Sequence, residues 1–480
     1  MARDFIQRAE GTAYVKTAPL SPFEILTCTG VGDMTLPRGD RTTRFVPDVR
    51  RVGRFVAAGS FAAEPGMATV TLTRPLSTVY NFLLETECPF TFRVNWACRG
   101  SRTDVLNYDM AAVLFEAAVT SSTITAPVAL QPDENDRVDT TADVSAPRWA
   151  YVYQVAATRQ TLAAASDDVL DFAVVASECG GPCGSRVDSG QIAYAVVDAS
   201  APYYVSVYRT ANGGATWTAV SPPFADAAAT SIALVPHSTG YRLVVGRDTV
   251  SGEPAAVAIS DDEGDSWSEI EVGNVADQSV RRITMDSIGR LWAVCTNGYI
   301  YRSADRGESW VVVEAGVATT ETLRDIAMAS DTVGYAVGDA GVVLYTVDGN
   351  SWATLTPPAV GVDYATAAVS AEGAVFVGGN DGTVYGWYNG SWNTMHTVTG
   401  AFVNMIRFDP DHRFFGYAVL TTGAGAGIIL RTEDGGATWY RLPTDYVPTN
   451  TGLRAIAPYS PNEGYVGGND AFVAKIGRRA

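Results

Sequence analysis

Six copies of one short turn, spaced almost evenly, divide the last two thirds of this chain into units and leave it few architectures to choose from. The fullest copy is Ser303-Ala304-Asp305-Arg306-Gly307-Glu308-Ser309-Trp310, and the others lie at 210–217, 260–267, 346–352, 388–392 and 432–439. Their closing tryptophans, Trp217, Trp267, Trp310, Trp352, Trp392 and Trp439, follow one another at steps of 50, 43, 42, 40 and 47 residues. A period of about 40 to 50 residues is the length of a four-stranded propeller blade. Hydrophobic residues make up 47% of the chain, so the units have enough apolar surface to pack rather than remain disordered.

Each unit reads as four strands. In the third, 280–285 is the inner strand and 291–295 the second; Asn297-Gly298, the preferred two-residue hairpin turn, leads to 299–303, and 310–313 runs out as the fourth. Its counterparts at that turn are Asp339-Ala340-Gly341, Asp381-Gly382 and Asn469-Asp470. The last unit has only three strands, 453–457, 464–468 and 472–476. Residues 149–162, just ahead of the first unit's inner strand at 169–176, are the suitable donor of the fourth, because pairing the two ends closes the ring and removes its open edge. The expectation is seven blades with a shared closing blade, six and eight being the alternatives.

The recurring turn resembles the Asp-box, or BNR, repeat, Ser-x-Asp-x-Gly-x-Ser/Thr-Trp. Residues 260–267 and 303–310 match it fully, and 432–439 matches with Thr432 for Ser. Asn212 stands for Asp in the first copy, the fourth is one residue short around Asp348 and Gly349, and the fifth keeps only Gly390-Ser391-Trp392. The chemistry is local. A carboxylate, here Asp262, Asp305, Asp348 and Asp434, folds back to accept backbone N–H groups; glycine supplies a positive φ, and tryptophan packs between sheets.

Residues 1–150 show no repeat, and their short apolar runs bounded by Gly, Pro and Asp read as strands at 13–16, 23–28, 53–58, 67–72, 90–97, 112–119 and 149–155. Residues 76–85, with a Ser77 cap and apolar residues at helical spacing, read as a short helix. The expected fold class is all-β, a β-sandwich with one short helix over 1–150 followed by an Asp-box propeller over 151–480. Arg38, Arg41, Arg44, Arg50, Arg51 and Arg54 cluster in or beside a loop containing Pro37, Gly39 and Pro47; Asp133, Glu134, Asp136 and Asp139 lie in a polar stretch read as a loop or hairpin tip. Two solvated loops are one reading. The other is complementary contact between subunits, the basic loop of one copy meeting the acidic loop of the next. Nucleic-acid binding by the arginines ranks third, since no aromatic residues interleave with them.

This front part resembles the tail tube proteins of long-tailed bacteriophages in the runs Gly32-Asp33-Met34-Thr35-Leu36-Pro37-Arg38-Gly39-Asp40, Gly53-Arg54-Phe55-Val56-Ala57-Ala58-Gly59 and Ala68-Thr69-Val70-Thr71-Leu72-Thr73-Arg74. The resemblance implies subunits that pair sheet edges into rings, and rings that stack into a DNA conduit.

Charge is unevenly spread: 15 Lys+Arg against 17 Asp+Glu up to residue 150, and 19 against 35 beyond it. The acidic back part opposes non-specific nucleic-acid binding. The opening residues lack the apolar core of a signal peptide, and no run approaches the ~20 apolar residues of a membrane span, so folding in a cytoplasm is expected. Cys28, Cys88, Cys98 and Cys295 read as small buried hydrophobes, whereas Cys179 and Cys183 could pair, hold a metal or flank a plain turn. With only His237, His396 and His412, a zinc site has too few ligands in view.

Asp-box propellers include sialidases, which require an arginine cluster, a Tyr nucleophile with a Glu partner and an acid/base Asp. Here Arg441-Leu442-Pro443 follows the last turn instead of preceding the first, and Arg209, Arg302 and Arg431 recur at one repeat position, which suits a structural role. No P-loop or Ser/His/Asp set is present. The array also resembles the photosystem II assembly factors in repeat type, but those are exported or lumenal and nearly all propeller. The expected function is therefore a non-enzymatic structural virion protein, a major tail tube subunit with a propeller as decoration, without catalytic residues, metal or cofactor. Its expected partners are its own copies in ring and stack, other virion tail proteins, DNA passing through the lumen without specific binding, and a host-surface glycan. The alternative is a carbohydrate- or partner-binding propeller tethered by its N-terminal domain, and the third reading is a sialidase-like glycosidase.

Overall fold

The computed structural model describes residues 12–16, 20–22, the strands between 24 and 153, and 155–478 apart from 163–166, 176–190, 200–205, 238–239, 317, 411–412 and 444–446. The chain divides into two compact units, Met1–Gln154 and Val155–Arg478. The second is a seven-bladed propeller of four-stranded antiparallel sheets. Blade 1 comprises Val169–Val174, Ala193–Val197, Val207–Thr210 and Thr218–Ala219. Blade 2 comprises Ala229–His237, Gly240–Arg247, Pro254–Ser260 and Ser268–Ala276, and blade 3 Val280–Met285, Leu291–Cys295, Tyr299–Ser303 and Val311–Ala315. Blades 4 to 6 begin on the inner strands Leu323–Met328, Tyr364–Val369 and Ala401–Phe408.

Apolar continuity decides the layering. Ala193–Val197, Leu291–Cys295 and Val375–Gly379, the second strands of blades 1, 3 and 5, are buried at every position, as a strand covered on both faces must be. The turn after the second strand depends on left-handed backbone: Asn297 and Gly298 take φ of 62° and 75°, and Ala340 and Gly341 take 55° and 82°. In the last blade that conformation falls on Asp470 and Ala471, one residue later than the sequence suggested.

Blade 7 holds Leu453–Ser460, Glu463–Gly468 and Phe472–Arg478 and takes its outermost strand, Val155–Thr161, from the other end of the unit. The ladder runs from Val155 opposite Arg478 to Thr161 opposite Phe472. Behind it Val155, Leu162, Phe172, Trp217, Tyr465 and Ile476 share one core cluster, so the seam between chain ends is packed like an interior.

Among the described residues the first unit is an antiparallel network of ten strands. Gly30–Arg38 and Arg41–Pro47 are strands, which corrects the loop reading of Arg38, Arg41, Arg44, Pro37 and Pro47. Arg38 lies opposite Arg41 and Thr35 opposite Arg44, so the two strands pair antiparallel, with β-branched and aromatic residues along both. Asp139 opens the strand Asp139–Ala146, also unexpected, and the expected strand at 149–155 is divided at Gln154 between Arg148–Tyr153 and Val155–Thr161. The helix expected at 76–85, Arg50, Arg51, Arg54, Asp133, Glu134, Asp136, and Cys28, Cys88, Cys98, Cys179 and Cys183 lie outside the described residues. Cys295 is free and buried, and that burial pushes its thiol pKa up.

Candidate functional site

The repeated turns come first, because they are the residues the sequence singles out. Ser260 Oγ donates to Asp262 Oδ1 at 2.8 Å and accepts Gly264 N–H at 2.9 Å, while Asp262 accepts the Ser266 amide at 2.9 Å and its hydroxyl at 2.5 Å. The same set recurs around Asp305 and Asp434. Asn212 reproduces it with one bond reversed, since its amide donates to Thr216 Oγ1 at 2.8 Å. Asp348, in the shortened copy, accepts the amides of Asn350 and Ser351, each at 2.8 Å. In the fifth copy Asn389 and Gly390, with φ of 50° and 81°, form a tight turn without a carboxylate. Ser266 and Ser260 hold Asp262 down to a pKa of about 2, and the Ser351 and Asn350 amides hold Asp348 there too.

Each tryptophan then meets the preceding blade. Trp217 packs edge-on against Tyr465 at 5.6 Å, Trp352 against Trp292 at 6.1 Å and Trp439 against Phe376 at 6.1 Å. Trp267 donates its indole N–H to Ser221 O and Trp392 to Thr356 O, while Trp310 joins the core between blades 2 and 3. Gly436 shows why glycine is needed: its φ is +93°, and a Cβ would lie 2.1 Å from Phe376 Cζ. Arg209 pairs with Glu263, Arg302 donates to Gly349 O, and Arg431 to Pro461 O, each in a later blade. These residues join blades to one another.

The sequence reading missed the channel. At one register position of successive inner strands stand Asp171, Ser231, Arg282, Asp325, Thr366, Met405 and Ala455, each just after the bulge. Where the side chain can accept, it takes the N–H one step further along the next inner strand: Ile232 to Asp171, Ile283 to Ser231, Ala367 to Asp325, Ile406 to Thr366 and Ile456 to Met405 Sδ. Arg282 and Ala455 cannot accept. The strands that follow them carry the two aspartates, which accept the next N–H of their own chain, Ile326 at 2.9 Å and Phe172 at 3.0 Å. Arg282 Nη1 lies 2.6 Å from Asp171 Oδ2, and its Nε 3.3 Å from Asp325 Oδ1. Arg407 grips Asp325 with both terminal nitrogens, at 2.8 and 3.2 Å. Burial would raise the Asp325 pKa, but Arg407 and Arg282 outweigh it and hold it low.

Beyond this ring lies a cavity of about 250 Å³, lined by Arg282, Met285, Met328, Arg407, Phe408 and Arg413 among others. Met285, Met328 and Phe408 end their inner strands, so the cavity opens on the face carrying the turns from first to second and from third to fourth strands. Three guanidiniums, Arg282, Arg407 and Arg413, line it with one carboxylate, Asp171; Asp325, paired with Arg282 and Arg407 behind the lining, supplies a second, leaving one positive charge in excess. The same face exposes Met285 by 36%, Ile288 by 64% and Val347 by 68%, large apolar groups left in water.

A Tyr/Glu/Arg group also exists, but at the seam of blades 1 and 2. Tyr194 and Tyr241 hydroxyls meet at 3.0 Å, Tyr241 donates to Glu263 Oε1 at 3.3 Å, and Arg209 pairs with Glu263. Burial, reinforced by Tyr241, pushes the Tyr194 hydroxyl pKa far up, which suits a structural link rather than a nucleophile. Arg441 is exposed on the short outer strand of blade 6. Among the described residues no group of three or more His, Cys, Asp or Glu is disposed to hold a metal ion.

Seven such sheets around a central channel define a β-propeller. Residues 214–460, more than half the chain, match the model of the DUF6242 beta propeller domain, and the chain belongs to that family. Sequence comparison with curated proteins finds no match. Solved structures with a similar fold include YCF48 bound to D1 peptide, 16% identical, covering 68% of this chain and 96% of that one at a TM-score of 0.50. Virginiamycin B lyase from Staphylococcus aureus is 12% identical, covering 68% and 100% at 0.52. The GH74 xyloglucanase from Xanthomonas campestris is 16% identical, covering 67% of this chain and 53% of that one at 0.50. At these identities the likeness is one of fold.

Proposed function

We propose that residues 155–478 are a partner-binding propeller, with Asp-box turns as its fasteners and the channel mouth as its binding site. The observation that carries this reading is the cavity itself: a well lined by Met285, Met328 and Phe408 together with charged side chains, one guanidinium in excess, in a part of the chain that is otherwise strongly acidic. Such a well suits the end of a partner chain, apolar and closed by a carboxylate. YCF48 holds a peptide on the same fold, which supports a peptide here. Catalysis is not part of the proposal, and a sialoside reporter should stay intact. The test is titration with short peptides ending in an apolar residue, compared with their amidated forms. The free carboxylate should bind at least tenfold tighter, and Arg413→Glu should remove that preference. Equal binding of both forms would sink the reading.

For the front unit we retain the tail-tube reading, in which it pairs copies into rings and stacks around passing DNA and the propeller is a decoration. Its strand path terminates on Phe55–Phe61 and Glu24–Ile25, whose outer edges pair with no strand among the described residues. A second copy can continue such ladders, and contacts of Arg38, Arg41, Arg44, Arg50, Arg51 and Arg54 with Asp133, Glu134, Asp136 and Asp139 would fix the register. Electron microscopy of the purified chain showing neither rings nor tubes in any condition would overturn it.

A further inference from the structure

The outer strands of the blades are unequal. In blades 1, 4 and 6 the fourth strand has two residues, but in blade 2 it runs nine, Ser268–Ala276. Its ladder is interrupted: Glu271 lies opposite Ala256, yet Ala276 lies opposite Pro254. Residues 272–275 therefore stand out from the sheet as a wide bulge. Val272 is buried in the same apolar cluster as Tyr301 of blade 3. Gly273 is required at this crossing, since a Cβ there would lie 2.3 Å from the Tyr301 hydroxyl oxygen. That hydroxyl donates to Gln278 Oε1 at 3.0 Å, which fixes the ring.

The bulge helps enclose a cavity of about 480 Å³ on the outer flank between blades 2 and 3. Its aromatic side carries the half-buried Tyr299 and Trp310, with the buried Tyr301 ring stacked on Tyr299 at 5.8 Å and 21°. The bulge lines the cavity with Val272 and Val275 beside the exposed, polar Glu271 and Asn274. Partly exposed aromatic rings beside hydrogen-bonding side chains fit a molecule with an apolar face and a polar rim. A saccharide ring is that molecule, with its C–H face for the aromatic rings and its hydroxyls for carboxylate and amide. Glu271, the one carboxylate lining the cavity among the described residues, disfavours an acidic sugar. We infer that this flank is a binding site for a neutral saccharide, separate from the channel mouth and independent of the partner-binding proposal.

The test uses the full chain with cellobiose, maltose and lactose as probes, read by ligand-observed NMR and calorimetric titration. At least one should bind with a Kd of about 1 mM or tighter, and Tyr299→Ala and Glu271→Ala should each weaken it at least tenfold. Glu271 is exposed, so its variant keeps the test decisive if Tyr299→Ala fails to fold. Arg413→Glu, at the channel mouth, should leave saccharide binding unchanged. Absence of binding to all three sugars, or unchanged binding in a folded Glu271→Ala, would overturn the inference.

Discussion

Asp171 and Asp325 stand where the relay of side-chain acceptors around the channel breaks, and each does three things: it caps its own strand's next N–H, accepts one from the next inner strand and balances Arg282. Removing one carboxylate leaves a buried guanidinium short of a counter-ion and two amides without acceptors. Asp325→Ala should therefore cost about 3 to 5 kcal/mol in chemical denaturation, well beyond the roughly 1 to 3 expected for Thr366→Val. Equal small losses would show that the ring only fills space. The turn aspartates behave differently. A folded-state pKa held at about 2 for Asp262 means stability that is complete above the ordinary carboxylate range and lost as pH falls toward 2. Asn212 shows that an amide can hold the same turn, so Asp262→Asn should be nearly neutral at pH 7 and should reduce the loss between pH 4 and 2, as denaturation at pH 7, 4 and 3 will show. The turns were legible because their bonds span only two to four residues. The ring joins strands some 40 to 80 residues apart, and its one sequence signal is a polar residue returning at a fixed place in apolar strands.

At the scale of elements, strand counting alone located the closure, because three strands at one end require a fourth from the other. Val155–Thr161 pairs along all of its seven residues and seats Val155 in the seam. A chain starting at residue 163 would present Phe472–Arg478 as an open edge, a hazard for pairing with another copy. Its unfolding midpoint should fall by about 5 °C relative to a chain starting at 155, given a few kcal/mol lost at roughly 1.5 °C each for a unit of this size; an unchanged midpoint would deny the strand its closing role. The bulge at 272–275 could not be read, since it is a departure from a ladder and the repeat fixes only tryptophan spacing. The front strands were misread for a related reason: Pro37, Pro47 and the arginines suggested a loop, while the Thr, Val and Phe residues between them carried the strand signal.

For the whole molecule, charge becomes the deciding quantity. Sixteen net negative charges beyond residue 150 make propellers repel one another, while the nearly neutral front part carries no such penalty. Self-association of the full chain should thus grow as salt rises from 50 to 500 mM, because screening at a Debye length of about 4 to 14 Å removes the repulsion but leaves backbone pairing at strand edges intact. Residues 155–478 alone should stay monomeric across that range. If the arginine and aspartate contacts between copies dominate instead, association of the full chain should weaken with salt, so the sign of the trend separates the two modes of contact. Light scattering of both forms across the series measures it. A full chain that remains monomeric at every salt concentration would remove assembly from the account and leave the propeller's binding sites to explain the protein.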